Sequence, residues 1–199
     1  MNAVGAVRSN YDARMDSART ALLIMDVQPQ IVERFGDSGL TERLARAAGA
    51  ARGAGVRVVY VKVGFREGYP EISPRSATFS RIAELGGFVE GVSSVVHAAV
   101  APQPGDVVVT KRRVSAFAGS DLDVVLRAGG IEALVLSGIA TSGVVLSTLR
   151  QAADLDFSLT VLSDGCVDAD EEVHRVLCEK VFPRQAQVLT VAAWIDTLA

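Results

Sequence analysis

Six short apolar runs, separated by segments with helical spacing, constrain the fold of this chain more than any other feature. The runs are "TALLIMDV" (20–27), "VRVVYVKV" (56–63), "DVVVTK" (106–111), "EALVLSG" (132–138), "SLTVLSDG" (158–165) and "AQVLTV" (186–191). A nearly continuous apolar strand is typical of a parallel sheet that is buried on both faces. We therefore predict an α/β fold, a Rossmann-like three-layer α/β/α arrangement with a six-stranded parallel sheet.

The segments between these runs predict the helices. "LTERLARAAGAARGAG" (40–55) has helical periodicity, and "SDLDVVLRAGG" (120–130) begins with a Ser cap and stops at glycines. Further helices are expected over about 142–153, over about 170–181 and in the closing "AAWIDTLA", whereas 64–105 is expected to be loop with short helices. We assign residues 1–19 to an N-terminal arm and residues 20–199 to a single domain.

Bulk composition excludes several classes of protein. The formal net charge of −3 lacks the basic excess that nucleic-acid binders usually carry. No stretch is apolar for long enough to cross a membrane, and the N-terminus lacks an apolar signal core. The only histidines, His97 and His174, stand in no metal-ligand pattern and are expected to be packed or on the surface. We expect a cytoplasmic protein with no metal, no cofactor, no nucleic-acid partner and no membrane partner.

Polar groups stand where the predicted strands end, which is where open parallel sheets place their sites. The rule selects Asp26, Lys111, the turn at 138–144 and Asp164. A carboxylate at the end of a buried strand is costly unless it is paired or functional, and Lys111 is the candidate counter-charge. A purely structural ion pair is the alternative. Gln28 faces the same way as Asp26 if the first strand continues, and is then a polar positioning group.

The stretch "LVLSGIATSGVV" (134–145) reads as a strand, a tight turn and the start of a helix. Enzymes often place a nucleophile at such a helix N-terminus, because the helix dipole lowers a thiol pKa and free N–H groups hold an oxyanion. The residue at that position is Val144. Thr141 and Ser142 carry hydroxyl groups, but without a histidine base nearby these are weak nucleophiles.

Three segments occur in this order along residues 20–198: "DVQ" (26–28), Lys111 with "VSAF" (114–117), and "GIATSGVVLST" (138–148). Together they resemble the isochorismatase-like hydrolase superfamily, also called the cysteine hydrolase family. The resemblance implies a homodimer or homotetramer and a cis peptide bond at Ile139–Ala140. The Asp, Lys and Cys of nicotinamidase-like members correspond to Asp26, Lys111 and Val144, so the usual amidase route is excluded here.

Isochorismatases resemble this chain in lacking the cysteine, and they hydrolyse a vinyl ether. On that template Asp26 is the general acid, Lys111 tunes its charge or binds substrate, and helix N–H groups hold an anionic part of the substrate. An anion that neutralises Lys111 would make Asp26 a competent acid, so we expect an anionic small molecule. Candidate cationic clamps are Arg66, Arg75 and the stretch "KRRVS" (111–115), which contains Arg113. The expected substrate-binding residues are Gln28, Arg113, Ile139, Ala140, Thr141, Gly143 and Val144.

Two other interpretations stay open. In one, the chain is a catalytically inactive family member that acts as a binding or oligomeric scaffold protein and keeps the Asp26–Lys111 pair for structure. In the other, it is a hydrolase with an unexpected nucleophile such as Cys166, which is expected just past the fifth strand. Cys178 is expected to serve packing.

Overall fold

The computed structural model describes residues 16–35 and 39–198. Within these ranges six strands form one sheet, and every neighbouring pair is parallel, in the order β3-β2-β1-β4-β5-β6. The strands are β1 (Thr20–Met25), β2 (Arg57–Val63), β3 (Val107–Lys111), β4 (Ala133–Ile139), β5 (Ser158–Val167) and β6 (Gln187–Leu189). The predicted fold class is confirmed.

Helices cover both faces of the sheet. They are α1 (Pro29–Phe35), α2 (Leu40–Gly53), α3 (Ala77–Leu85), α4 (Leu122–Ala128), α5 (Leu146–Asp154), α6 (Glu171–Val176) and α7 (Val191–Asp196). One core cluster joins one set of strand side chains to α1, α2 and α7, and a second joins the alternate set to α4, α5 and the segment after α6. This alternation is what a strand buried on both faces requires, and it produces the three layers.

The loop between β2 and β3 has a small core of its own. Phe65 and Phe79 are buried and meet edge to face, with ring centroids 5.8 Å apart. They pack with Val63 at the end of β2 and with Val114 just past β3. The segment predicted as loop with short helices is therefore anchored beside the carboxyl ends of β2 and β3, with α3 as its one α-helix among the described residues.

The structure differs from the sequence predictions in three local details. The short helix α1 was not predicted, and β1 ends at Met25 rather than at residue 27. The strand stops because Asp26 adopts a left-handed conformation, with φ +57°. The helix expected from about residue 142 starts instead with a wide π-type turn over Thr141–Val145, and regular α5 follows.

The strand order reverses between β1 and β4, so this is the topological switch point of the sheet. Met25 pairs in register with Gly138, which brings Asp26 beside the segment that leaves β4. Gly138 has φ +130°, and a Cβ there would lie 2.0 Å from the carbonyl oxygen of Met25. Only glycine allows the two strands to approach this closely at the edge where the site lies.

The N-terminal arm falls mostly outside the described residues. Of it, Ser17–Arg19 form a single 3₁₀ turn that leads directly into β1. In the described part of the chain, every helix is too short or too polar to cross a bilayer.

Candidate active site

Asp26 and Lys111 form a buried ion pair at the carboxyl edge of the sheet. The Lys111 Nζ lies 2.9 Å from the Asp26 Oδ2, and the two side chains are 3% and 9% exposed. Asp26 follows β1 and Lys111 ends β3, so the lysine reaches across β2 to meet the carboxylate. The structure thus brings together the two residues that the strand-end rule selected.

Lys111 has no hydrogen-bond donor left for a ligand. Besides Asp26, its ammonium donates to the carbonyl oxygens of Arg113 at 2.9 Å and Val114 at 3.1 Å. An ammonium group has three N–H donors, and these three oxygens use all of them. The expected direct neutralisation of Lys111 by a substrate anion therefore has no open donor in this geometry.

The Asp26 carboxyl is half satisfied. Its Oδ2 accepts from Lys111, whereas its Oδ1 is buried with no hydrogen-bond partner among the described residues. Burial raises the pKa of Asp26 above its ordinary value of 3.8, and the opposing attraction of Lys111 is the smaller effect. Since Oδ2 accepts from the ammonium, a proton bound by this carboxyl resides on Oδ1.

Gln28 does not face the site. Its Oε1 accepts from the Val63 N–H at 2.8 Å, and its Nε2 donates to the Val63 carbonyl at 3.1 Å. The side chain is fully buried. Because β1 ends at Met25, the strand alternation that predicted a shared direction with Asp26 no longer applies at Gln28. Its amide acts instead as a surrogate strand partner that fixes the end of β2.

Two of the expected cationic clamps, Arg66 and Arg113, are already engaged. Arg66 pairs with Glu71 at 2.5 Å, and the exposed Arg113 donates to the carbonyls of Arg112 at 2.7 Å and Glu71 at 2.9 Å. The Arg113 guanidinium also lies over the Phe79 ring, 5.7 Å from its centroid. Arg113 therefore supports the buried pair with its backbone carbonyl, while its side chain lies at the surface.

Arg75 is the remaining expected clamp. Its backbone N–H donates to the Ser73 Oγ at 3.3 Å, and its side chain has no ion-pair partner among the described residues. The geometry does not link Arg75 to the Asp26–Lys111 pair.

The β4–α5 turn (residues 139–145) adjoins Asp26 through the β1–β4 register. The peptide bond between Ile139 and Ala140 is cis, as the resemblance implied. The backbone N–H groups expected to hold an anion are largely occupied by the chain itself. Those of Gly143 and Val145 donate to the Ala140 carbonyl at 3.1 and 3.3 Å.

The N–H of Ser142 is also taken, by the Asp168 carboxylate at 2.6 Å. Asp168 directly follows β5 and also accepts from the Ala169 N–H at 2.9 Å. Sequence reasoning missed it, although an Asp just after a strand at this edge is a signal that the strand-end rule could have used. The anion at this helix start is the protein's own carboxylate.

Val144 and Thr141 are both buried in the turn. Val144 is 2% exposed, and Thr141 is fully buried. The expectation that no histidine lies near Thr141 is wrong, because its Oγ1 is 2.8 Å from the Nδ1 of His174 on α6. The contact joins positions 33 residues apart, so only the placement of α6 against the turn reveals it.

Neither cysteine offers a reactive thiol. Cys166 lies within β5, in register with Gly138, rather than past the strand as expected. It is buried, and burial raises its pKa far above the ordinary value. Burial also raises the pKa of Cys178 to about 11. A thiolate nucleophile is thus disfavoured at both positions. Residues 16–35 and 39–198 contain no group of three or more His, Cys, Asp or Glu side chains placed to hold a metal ion.

The sheet is parallel and doubly wound and has a buried ionisable pair at its switch point, which is where open α/β sheets place their sites. Residues 20–193 match the family model described as "Isochorismatase domain". The chain therefore belongs to the isochorismatase family, and it is an isochorismatase-family hydrolase.

Curated relatives share most of the chain. The ureidoacrylate amidohydrolase RutB of Stutzerimonas stutzeri is 35% identical over 182 residues, which cover 79% of this chain and 73% of the relative. The RutB of Variovorax paradoxus is 39% identical over 208 residues, covering 92% and 80%. YecD of Escherichia coli, named an uncharacterized isochorismatase family protein, is 31% identical over 189 residues, covering 92% and 98%.

Solved structures agree with this assignment. An isochorismatase family protein from Burkholderia thailandensis superposes with a TM-score of 0.81 at 29% identity, covering 93% of this chain and 98% of that chain. A cysteine hydrolase from Pseudomonas syringae pv. phaseolicola superposes with a TM-score of 0.84 at 24% identity, covering 93% and 94%. The second likeness supports the fold alone.

Proposed function

We propose that this chain hydrolyses a small carboxylated vinyl ether without a cysteine nucleophile, with Asp26 as the general acid. The observation that carries the proposal is the Asp26 Oδ1, which is buried and has no hydrogen-bond partner among the described residues, and on which a proton bound by this carboxyl would lie. An unsatisfied buried oxygen costs about 1–3 kcal/mol of stability, and a substrate that contacts Oδ1 supplies the missing interaction.

The reaction needs no covalent intermediate. The Asp26 O–H bond breaks as its proton forms a C–H bond at the terminal carbon of the enol ether, and the double-bond electrons supply that bond. Water adds to the resulting oxocarbenium carbon, and its released proton returns to the Asp26 carboxylate. The hemiketal then collapses to an alcohol and a keto acid, which is pyruvate for a carboxyvinyl ether. Lys111 holds Oδ2 throughout and keeps the reactive proton on Oδ1.

The role of an anionic substrate differs from the expectation stated above. Burial raises the pKa of Asp26 despite Lys111, so burial favours the acid form even without an anion at the lysine. The exposed Arg113 is the cation that a substrate carboxylate would meet, by exchanging with its two surface carbonyl partners. A second candidate substrate is ureidoacrylate, because two similar relatives are named ureidoacrylate amidohydrolases. With Val144 at the position of the family's cysteine, its hydrolysis here would have to proceed by a route other than the usual amidase one.

The test is pyruvate release from isochorismate and from a simpler carboxyvinyl ether, measured for wild type and Asp26→Asn. Asn suits the left-handed backbone at this position and lacks the acid, so we expect a loss of about 10²–10⁴-fold. Asp164→Asn is the matched control, since Asp164 lies within β5 and its carboxylate accepts from the Val191 N–H at the start of α7, at 2.6 Å. It should keep the wild-type rate.

Two results would refute the proposal. One is an Asp26→Asn variant that keeps the wild-type rate. The other is a folded wild type that releases no pyruvate from either vinyl ether. Turnover of ureidoacrylate by that same preparation would then assign the amide reaction, whereas no turnover of any substrate would favour the scaffold interpretation.

A further inference from the structure

Three side chains connect the β4–α5 turn to α6 and the segment that follows it. The Thr141 Oγ1 is 2.8 Å from the His174 Nδ1, and the His174 Nε2 is 3.7 Å from the Cys178 Sγ. Thr141 is fully buried, and Cys178 is 8% exposed. The contacts lie beside the site, because the turn directly follows β4, whose Gly138 pairs with Met25.

The direction of the hydrogen bonds follows from the available acceptors. A buried hydroxyl must donate its hydrogen, and the only partner of the Thr141 hydroxyl among the described residues is the His174 Nδ1. His174 therefore accepts at Nδ1 and carries its own hydrogen at Nε2, toward the Cys178 sulfur. A thioether or thiol sulfur is only a weak acceptor, so Thr141 is the stronger of the two contacts.

A second side chain from the same part of the chain holds the turn on its other side. The Asp168 carboxylate accepts from the Ser142 N–H at 2.6 Å. Consecutive turn residues, Thr141 and Ser142, are thus bound by residues that follow β5. We call Asp168 and His174 the β5–α6 clamp.

We propose that His174 is a positioning residue of the active site, which holds the β4–α5 turn against Asp26 through the Thr141 hydroxyl. Thr141 itself is not proposed to attack a substrate, since it is fully buried. The effect on catalysis is therefore indirect. The kinetic test of this proposal rests on the proposed function, whereas the spectroscopic test does not.

The variants come in matched pairs. Thr141→Val removes the hydroxyl and keeps the shape, whereas Thr141→Ser keeps the hydroxyl. His174→Leu removes the acceptor, whereas Asn at the same position places an oxygen near the former Nδ1. His97 and His174 are the only histidines in the chain, so His97→Gln assigns the imidazole resonances.

The spectroscopic experiment needs no substrate. In wild type, imidazole ¹⁵N shifts should show an unprotonated Nδ1 and a protonated Nε2 at His174, and Thr141→Val should change them. Carboxyl ¹³C titration, assigned with Asp26→Asn, should give a shifted midpoint for Asp26 in Thr141→Val and His174→Leu. Thr141→Ser and His174→Asn should titrate like wild type.

The kinetic experiment uses the vinyl ether, at a temperature where circular dichroism shows every variant folded. Displacement of a site wall lowers catalytic efficiency by up to about 100-fold, so we expect a tenfold to hundredfold lower kcat in Thr141→Val and His174→Leu, with the conservative variants restored. The double variant Thr141→Val/His174→Leu should lose no more kcat than either single variant, because both substitutions remove the same contact.

An Asp26 titration that is the same in all variants would overturn the proposal, whatever the kinetics show. A different result is that the wild type shows no turnover while the Asp26 titration is shifted in Thr141→Val and His174→Leu. That result would support the positioning role and reject the vinyl-ether reaction. The two proposals therefore fail separately.

Discussion

Replacing Lys111 with Met removes one member of a buried ion pair and leaves the other uncompensated. The Nζ and Oδ2 are 2.9 Å apart, and the side chains of Lys111 and Asp26 are 3% and 9% exposed. At an effective dielectric constant of 20 their attraction is about 6 kcal/mol, against a desolvation cost of several kcal/mol per ion. We expect Lys111→Met to lower the free energy of unfolding by about 3–5 kcal/mol at neutral pH.

The partner variant and the double variant separate charge from packing. Asp26→Asn keeps an oxygen that accepts from Lys111 and suits φ +57°, so it should cost less, about 1–3 kcal/mol. The double variant contains neither charge. It should regain about 2 kcal/mol relative to Lys111→Met, because no uncompensated carboxylate stays buried.

The same pair also predicts the direction in which the free energy of unfolding changes with pH. The pKa of Asp26 is raised in the folded state, so above its ordinary value of 3.8 the folded chain binds more protons than the unfolded chain. This contribution to stability is complete below pH 3.8 and is lost as the pH rises toward the folded-state value. Lys111→Met removes the opposing attraction, so its stability should fall more steeply with pH, by about 1.4 kcal/mol per additional unit of pKa shift.

Urea unfolding followed by circular dichroism between about pH 4 and pH 8 measures all four proteins of this cycle. The double variant is the control, since it lacks the titrating carboxyl. The reasoning fails if Lys111→Met shows no steeper pH slope than the double variant. It also fails if the double variant loses the sum of the two single effects, because the pair would then not be coupled.

Three further predictions concern the frame of the site. Gly138→Ala should prevent folding or cost more than about 4 kcal/mol in thermal unfolding, whereas Gly49→Ala, with nothing within 4 Å of the added methyl group, should stabilise α2 by about 0.5–1 kcal/mol. Gln28→Leu should cost about 1–3 kcal/mol in urea unfolding by orphaning the Val63 N–H, while the exposed Gln30→Leu should change stability by less than about 0.5 kcal/mol. The native protein should not react with a thiol reagent at pH 8, and two thiols should appear on unfolding; loss of activity on alkylation of the native protein would contradict this.

The fold was predictable because its information is local. Strands buried on both faces require nearly unbroken apolar runs, and helices between parallel strands follow from the length of the connection. The helix α1 escaped prediction because Pro29–Phe35 is short and buries only Val32. The end of β1 was not predicted because the left-handed residue there is Asp26 rather than a glycine, which would have indicated a turn.

The site was predictable where strand ends determine it and unpredictable where distant side chains decide. Asp26 and Lys111 meet because both end strands at one edge of the sheet. The sequence shows that the arginines carry charge, but it does not show their partners. Arg66 pairs with Glu71, which lies in an irregular loop. The contact between Thr141 and His174 depends on how α6 packs against the turn, and the spacing of residues in the sequence does not predict that packing.

The energetics of Asp26 favour an enzyme over a scaffold. Asp26 combines a left-handed backbone, a desolvated charge and an oxygen without a partner, and the last of these alone costs about 1–3 kcal/mol. A protein that needed only the fold would be as stable or more stable with an uncharged, well-packed pair in these positions. The chain instead places this carboxyl beside Lys111, whose three N–H donors are all used, and beside the β4–α5 turn, which Asp168 and His174 hold in place. Such an arrangement holds one oxygen of Asp26 fixed and leaves the other without a partner, which is the geometry that the proposed acid catalysis requires.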